Sequence, residues 1–358
     1  MSRKPTSELR RGWTTGACAT AATKAALIRL WGGEFPETVG LTLPRGETPE
    51  FKVTYTAEGN GWAEAGIIKD AGDDPDVTHG CHVRARVRKI ESGVKFVAGE
   101  GVGTVTKPGL PIGVGEPAIN PVPRQMMKGI VMEVAAQYEA GGGIEITVSI
   151  PGGAEIAQKT WNPRLGIAGG LSILGTTGVV RPFSCSAWIA SIHRGIDVAC
   201  ATGLTHVAGC TGATSERVVQ DLYGLSDHAM LDMGDFAGGL LKYLRKHPVS
   251  HITIGGGIGK LTKLAQGAVD LHSGRSQVDF NALNEMASNI GLPDISRVNS
   301  VLEAYEIAGE PLAKLVAGHA LVRVEEMLVD APITADIVLI DRAGKILARA
   351  GKDQKESG

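Results

Sequence analysis

Residues 204–218 read LTHVAGCTGATSERV, and residues 250–263 read SHITIGGGIGKLTK. In both stretches a short apolar run ends in a glycine-rich turn, and a sequence that favours a helix follows the turn. The runs HAMLDMG at 228–234 and ADIVLID at 335–341 fit the same rhythm. Alternating strands and helices of this length are typical of a parallel sheet covered on both faces. We therefore predict a doubly wound, Rossmann-like α/β domain over residues 156–358.

The helices of this predicted domain follow its strands and loops at regular intervals. Apolar spacing and capping residues place their first turns near Ser186, Thr214, Asp235, Gly259, Phe280 and Leu312.

The first part of the chain has a different pattern. An alanine-rich stretch predicts a helix over residues 17–31, capped by Thr14 or Thr15, and Asn120 is expected to cap a second helix. Between residues 39 and 97, short alternating runs separated by Gly, Asp and Pro turns predict an antiparallel sheet. Residues 1–155 are therefore predicted to form an α+β domain with a mostly antiparallel sheet.

Composition limits the classes of partner. The formal net charge is −2 and aromatic residues make up only 4% of the chain, which argues against nucleic acid as a partner. No apolar run approaches the length of a membrane-spanning helix. Five scattered cysteines without a CxxC pair are typical of reduced thiols. We expect a cytoplasmic protein that binds neither nucleic acid nor membrane, and its oligomeric state stays open.

Glycine-rich loops after the predicted strands are the first candidate binding site. In an open parallel sheet, ligands bind at the carboxyl ends of the strands, where small residues and helix N-termini allow close approach to oxygen atoms. Lys260 stands where the dinucleotide-binding motif GxGxxG needs its third glycine. Leu261 stands where the phosphate-binding motif GxxxxGK[ST] needs Ser or Thr. Asp235 is expected either to bind ribose hydroxyls or to cap a helix. The candidate cofactor-binding residues are Gly209, Gly212, Gly234, Asp235, Gly255, Gly256, Gly257 and Gly259.

Three features of the first domain carry charged side chains. The turn at residues 72–80, GDDPDVTHG, offers oxygen ligands for a cation, although such turns often bond only their own backbone, and we predict no protein-bound metal. The Gly/Pro loop at 99–124 carries Lys107 and Arg124, which are suited to pairing with ligand carboxylates. Arg84 shares a strand face with two more arginines, which either bind an anion or form a solvated outer face.

Several long strings in the sequence resemble one known family. They are RRGWTTGACATAATKAA (10–26), DAGDDPDVTHG (70–80), GEGVGTVTKPGL (99–110), EPAINPVPR (116–124), KTWNPRLGIAGGLSILGTTGVVRPFS (159–184) and GKLTKLAQGAVDLHS (259–273). In this order they are similar to the cobalt-precorrin-5B C(1)-methyltransferases, the CbiD family of cobalamin biosynthesis. The chain departs from the family pattern at Cys185-Ser186 and at Gly257-Ile258.

This resemblance implies transfer of a methyl group from S-adenosylmethionine to C1 of the corrin ring, giving cobalt-precorrin-6A. The first domain is then expected to bind the corrinoid and the second the methyl donor. A proton must also leave the substrate, and Asp76, His79 or water is expected to accept it. The candidate substrate-binding residues are Thr14, Thr15, Arg84, Lys107, Arg124, Thr176 and Thr177.

Two other classes of protein compete with this interpretation. A nucleotide-dependent hydrolase would need Lys260 for phosphate binding, and a non-catalytic tetrapyrrole carrier would bind a corrinoid without the sulfonium donor. The ordered strings favour the methyltransferase.

Overall fold

The computed structural model describes residues 9–351. It is a mixed α/β structure whose sheets contain both parallel and antiparallel strands. The chain divides into two compact units, one ending at Ser184 and the other beginning at Cys185. The segment that follows the predicted boundary at residue 155 therefore lies with the first unit as far as Ser184. No helix within residues 9–351 has both the length and the apolar character needed to cross a membrane.

The first unit is built around a five-stranded sheet and two long helices. Its helices are α1 (Thr15–Leu30), α2 (Pro121–Gln137) and α3 (Gly153–Ala157). Its strands are β1 (Gly12–Trp13), β2 (Thr38–Gly40), β3 (Glu50–Lys52), β4 (Tyr55–Gly59), β5 (Trp62–Ile68), β6 (His82–Ile90), β7 (Val94–Ala98), β8 (Thr104–Val105), β9 (Gly143–Ser149), β10 (Ile167–Ala168) and β11 (Val179–Val180).

The large sheet has the order β4-β5-β6-β9-β7, and all of its pairs are antiparallel except β7 with β9. Helix α1 packs its alanines against the inner face of this sheet, where Val83, Ala85 and Val87 are fully buried. Small side chains on α1 allow the helix to lie close to the strands. The predicted helices at 17–31 and from Asn120 are confirmed to within two residues, and so is the mostly antiparallel sheet. Asn120 occupies the N-cap position of α2, but its side chain makes no capping hydrogen bond.

The second unit contains a four-stranded sheet and the remaining helices of the described part of the chain. Its helices are α4 (Cys185–Ala201), α5 (Ala213–Tyr223), α6 (Ala237–Leu244), α7 (Ile258–Ala265), α8 (Phe280–Ser288) and α9 (Val301–Met327), with a 3-10 turn at Asp227–Ala229. Its strands are β12 (His206–Cys210), β13 (His251–Gly257), β14 (Thr334–Ile340) and β15 (Ile346–Gly351).

Strands β12, β13 and β14 are parallel neighbours, and β15 adds to β14 in the antiparallel direction. One sheet face packs on the larger core with α4, α6, α7 and α9, and the other packs on a smaller core with α5. The antiparallel β15 was not predicted, because its alternating pattern follows a short turn at the very end of the sequence.

The predicted strand at 228–234 is wrong. That segment holds the 3-10 turn and makes a single parallel bridge, Ala208 to Met230. Asp232 and Gly234 both have positive φ, so the extended backbone ends after Met230 and Leu231. An apolar run predicts burial here, but it does not reveal the left-handed residues that interrupt the strand.

Candidate functional site

The loops after β12 and β13 meet at the carboxyl end of the second unit's sheet. Cys210 is in register with Gly255, and the backbone N–H of Thr211 donates to the carbonyl of Gly255 at 2.9 Å. On the other side of β12, the N–H of Gly234 donates to the carbonyl of Cys210 at 3.0 Å. The structure therefore brings together all three glycine loops that the sequence singled out, including the one that follows no regular strand.

The predicted cofactor glycines fall into two groups. A Cβ atom at Gly255 would lie 2.8 Å from the sulfur of Cys210, and one at Gly256 would lie 2.8 Å from the Thr211 hydroxyl. Gly209 is similarly enclosed, by Leu240 at 3.0 Å. Packing within the protein therefore disfavours a side chain at Gly255 and Gly256, and Gly209 is closely packed as well.

The other predicted glycines have more room. A Cβ atom at Gly212, Gly257 or Gly259 would meet no atom within 4 Å, so these positions border open space. Gly234 lies against the Trp188 ring and has φ +56. This left-handed backbone conformation favours glycine at the position. The open positions therefore have room for a ligand to approach the backbone.

Asp235 is held by Lys260. The Lys260 ammonium lies 2.8 Å from the Asp235 carboxylate and donates to the carbonyl of Thr211 at 3.0 Å. Helix α6 begins at Ala237 with no side-chain cap, so Asp235 does not act as the cap of that helix. The Lys260 side chain instead connects three segments: the loop after β12, the loop that carries Asp235, and the start of α7.

The threonines predicted for substrate binding gather at the N-terminus of α1. The N–H of Gly16 donates to the carbonyl of Leu174 at 2.8 Å, and the N–H of Thr14 donates to Gly178 at 2.9 Å. These bonds place the loop carrying Thr176 and Thr177 beside Thr14.

These threonines differ in how accessible their side chains are to a ligand. The hydroxyl of Thr14 caps the helix through the N–H of Ala17, and Thr15 is only 7% exposed. Thr176, by contrast, is exposed. Within this group, Thr176 is therefore the side chain most accessible to a ligand.

The acidic loop is organised by a buried lysine that sequence reasoning missed. The side chain of Lys69 is 1% exposed, forms an ion pair with Asp76 and donates to the Thr78 hydroxyl at 2.7 Å. Burial raises the pKa of the Asp76 carboxyl, but Lys69 and Thr78 more than offset this, so the net pKa lies below its ordinary value. Asp76 is thus a stable carboxylate, which weakens it as a proton acceptor. The signal in the sequence is a lysine directly after the apolar β5 and before Asp70.

His79 is half exposed, but its ring is also engaged. Its Nδ1 accepts the backbone N–H of Ala71 at 3.1 Å and lies 3.8 Å from the carboxylate of Asp70. A neutral ring with this bond carries its proton on Nε2, so it has no free lone pair to act as a base. Asp70 itself forms an ion pair with Arg10, which lowers the pKa of the Asp70 carboxyl.

The three predicted cations have different environments. Arg124 donates to Glu116 at 3.0 Å and to the backbone carbonyls of Ile119 and Pro117, so its guanidinium holds the Gly/Pro loop. Lys107 packs its aliphatic stem against Gly166 and has no ion-pair partner within residues 9–351. Beside Arg124, a depression of about 400 Å³ is lined on one side by the exposed Lys128.

Arg84 lies away from these groups. It projects from the outer face of β6, opposite α1, and stacks over the ring of Tyr55 at 4.0 Å. On the same face, Arg86 and Arg88 form ion pairs with Glu64 and Glu145 on the neighbouring strands. For Arg86 and Arg88, whose side chains are half exposed, these ion pairs favour a solvated outer face over anion binding.

The chain matches two profiles of one family. The CbiD profile matches residues 2–182, and the profile of the CbiD C-terminal domain matches residues 270–351. The chain belongs to the CbiD family.

Relatives within the family are similar along nearly their whole length. A protein of Brucella anthropi named cobalt-precorrin-5B C(1)-methyltransferase is 59% identical over 352 residues, covering 96% of each chain. The protein of the same name from Brucella canis is 58% identical with the same coverage. The crystal structure of the cobalamin biosynthesis protein CbiD from Archaeoglobus fulgidus is 30% identical, covers 70% of this chain and 78% of its own, and has a TM-score of 0.40.

Proposed function

We propose that this protein transfers the methyl group of S-adenosylmethionine to C1 of cobalt-precorrin-5B, giving cobalt-precorrin-6A in cobalamin biosynthesis. The observation that carries the proposal is the 59% identity, over 96% of both chains, to a relative named for this reaction. Similarity over the whole length covers both units rather than one of them. The free thiols Cys18, Cys81, Cys200 and Cys210 agree with a cytoplasmic setting.

The second unit is proposed to be a Rossmann-like domain that binds the methyl donor. The segment at Met230 lies beside β12 on the side away from β13, so successive elements add to opposite sides of β12. Ligands of open α/β sheets bind where the strand order reverses, outside the carboxyl ends of the two central strands. At that point lie Gly212 and Gly257, two of the open positions.

The first unit is proposed to bind the corrinoid. Its ring carries acetate and propionate groups, which favour cationic and hydroxyl-bearing side chains at the binding site. Lys107 offers an ammonium without an ion-pair partner in the described part of the chain, and Thr176 offers an exposed hydroxyl. Thr14, Thr15 and Arg124 are inferred to shape the loops around these groups, because their own polar atoms or side chains are already engaged or buried.

The chemistry requires alignment more than a covalent nucleophile. The carbon–sulfur bond of the sulfonium breaks as the new carbon–carbon bond forms at C1, and the electron pair of the broken bond stays on sulfur, giving S-adenosylhomocysteine. Such a displacement is accelerated when the two carbons are held about 3–3.5 Å apart and in line. Because Asp76 and His79 are both engaged in the loop, we infer that water accepts the proton that leaves the substrate.

Calorimetric titration with S-adenosylhomocysteine tests the donor site. We expect micromolar binding to the natural protein and at least a tenfold loss for Gly257→Val, because the φ of −71 at Gly257 suits any residue and the new side chain would enter the open space. Gly318→Ala is the control, since it also faces open space but lies within α9. Gly256 is less suitable, because substitution there would disturb Thr211.

Failure to bind S-adenosylhomocysteine at all would contradict the donor site in this protein. Equal binding by Gly257→Val and the natural protein would place that site away from the β13 loop. Transfer of a labelled methyl group to cobalt-precorrin-5B would then decide the reaction independently of the position of the site.

A further inference from the structure

Two histidines and an aspartate converge at the amino end of the second unit's sheet. His206 is the first residue of β12, His251 is the first residue of β13, and Asp336 lies on β14 beside them. One ligand atom from each of the three lies within 4.8 Å of the others. The glycine loops lie at the carboxyl end of the same sheet, so the cluster is separate from the proposed donor site.

The strand register explains why the three side chains share one face. His206 is in register with His251, and Thr253, two residues further along β13, is in register with Asp336. Residues two apart on a strand project to the same side of the sheet. The cluster is therefore built on three neighbouring hydrogen-bonded strands, which is a rigid support for a binding site.

The hydrogen bonds direct both imidazoles toward one carboxylate. His251 Nε2 lies 2.6 Å from Asp336 Oδ1, which also accepts the Thr253 hydroxyl at 2.7 Å. His206 Nε2 lies 2.8 Å from the same hydroxyl. Since the single hydroxyl proton of Thr253 goes to Asp336, His206 must donate to Thr253. The Nε2–H of His251 is thus directed at Asp336 and that of His206 at Thr253, and a cation bound by both imidazoles and the carboxylate would replace these two protons.

We propose that His206, His251 and Asp336 bind a divalent transition-metal ion, of the class of Zn²⁺ or Co²⁺. Two imidazoles and one carboxylate are a donor set suited to such ions rather than to Mg²⁺ or Ca²⁺, which prefer oxygen ligands alone. The side chains of His251 and Asp336 are 25% and 10% exposed, which leaves a way in for the ion and for a water ligand.

The groups around the cluster also fit this role. The hydroxyl of Tyr223 on α5 donates to the other carboxylate oxygen of Asp336, and the guanidinium of Arg349 on β15 donates to Tyr223 at 2.9 Å. Partners of this kind orient a metal-binding carboxylate. The ion would therefore connect three strands directly and would couple to α5 and β15 through Tyr223.

Titration of the full-length, metal-free protein with Co²⁺ tests the proposal, because Co²⁺ held by two imidazoles, a carboxylate and a water in a tetrahedral site absorbs visible light far more strongly than the hydrated ion. We expect saturation at one ion per chain. His206→Gln should lose the visible band, since the amide keeps the hydrogen bond to Thr253 but is a poor ligand, and Asp336→Asn should lose it as well. Tyr223→Phe should weaken binding about tenfold through loss of the partner that orients Asp336.

His193→Ala is the matched control, because His193 stacks on Tyr243 as His206 stacks on His251, but its Nε2 lies 3.3 Å from the backbone carbonyl of Gly239. It should bind Co²⁺ like the natural protein. Absence of the visible band in the natural protein, or equal loss in His193→Ala, would overturn the proposal. Circular dichroism of each variant checks that a lost band does not reflect unfolding, and a rise in the melting temperature with Zn²⁺ that His206→Gln lacks gives a second readout.

Discussion

Lys69 is the side chain on which the acidic loop depends. A lysine that is 1% exposed must keep its charge paired, and Asp76 provides the pairing within the loop. The same ion pair favours the charged form of Asp76, and the bond from the N–H of Thr78 to Asp76 orders the residues that lead to His79. The Lys69–Asp76 pair therefore gives the acidic loop a structural role.

Asp76→Asn tests this role. The amide keeps the bonds from Thr78 but removes the charge, so Lys69 is left buried without its counter-ion, and we expect a loss of about 3 kcal/mol in unfolding free energy. Urea denaturation measures it. In the double variant Lys69→Met, Asp76→Asn much of this loss should be recovered, because no unpaired charge remains. Additive losses would contradict the explanation.

The same pair predicts a pH dependence. The pKa of Asp76 is raised by burial but lowered overall by Lys69 and Thr78, so the folded protein holds this proton less tightly than the unfolded chain. Its stabilisation is therefore complete above the unfolded pKa of about 3.9 and is lost as the pH falls through the lower, folded value. Urea unfolding at several pH values below 5 should show a shallower loss for Asp76→Asn. Parallel curves for the two proteins would contradict this.

In helix α9, one residue divides a long helix into two parts. Gly309 has φ +65 and ψ −155 within Val301–Met327, and Pro311 follows it. This conformation is open to glycine and strained for other residues, and proline suits the first turn of the helix that resumes there. The sequence predicted a helix start near Leu312, which matches the second part of α9. The helical turns before Gly309 were not predicted.

Gly309→Ala is expected to destabilise the protein by about 1–3 kcal/mol, because the alanine must adopt a backbone conformation that L side chains avoid. The nearest atom to its Cβ would be Pro311 Cδ at 3.7 Å, so the cost comes from the backbone and not from a clash. Gly318→Ala, in the regular part of the same helix, should be neutral or stabilising by up to about 1 kcal/mol. Thermal unfolding of both variants measures the contrast, and equal effects would mean that α9 is straight in solution.

Each of the two units has its own hydrophobic core. In the first unit the core lies between α1, α2 and the five-stranded sheet, and in the second it lies on both faces of the four-stranded sheet. A compact unit with its own core is able to fold by itself. The division at Ser184 therefore predicts two separable domains.

A fragment beginning at Cys185 should unfold cooperatively in urea and bind S-adenosylhomocysteine, because all the glycine loops lie within it. A fragment ending at Ser184 should fold but should not bind this ligand. Circular dichroism and calorimetry check both outcomes. Binding only by the fragment that ends at Ser184 would place the donor site in the first unit. Two unfolded fragments would show that each unit depends on the other for folding.

The sequence alone determined the local elements and the family. Apolar periodicity and glycine turns predicted α1, α2 and the parallel strands β12, β13 and β14, because these patterns are local consequences of side-chain spacing. Long ordered strings from residue 10 to residue 273 indicated the CbiD family, which the profiles confirm. Local patterns did not reveal the left-handed residues that interrupt the segment at 228–234.

The tertiary structure decided which side chains meet. Lys69 and Asp76 are near in sequence, but their burial depends on the packing of the first unit. His206, His251 and Asp336 lie on three strands far apart in the chain, and only the register of the sheet brings their ligand atoms together. Likewise, the seven glycines among the predicted cofactor residues look alike in sequence, whereas packing shows which of them are enclosed and which border open space. Contacts between distant residues depend on strand order and register, which no local pattern encodes.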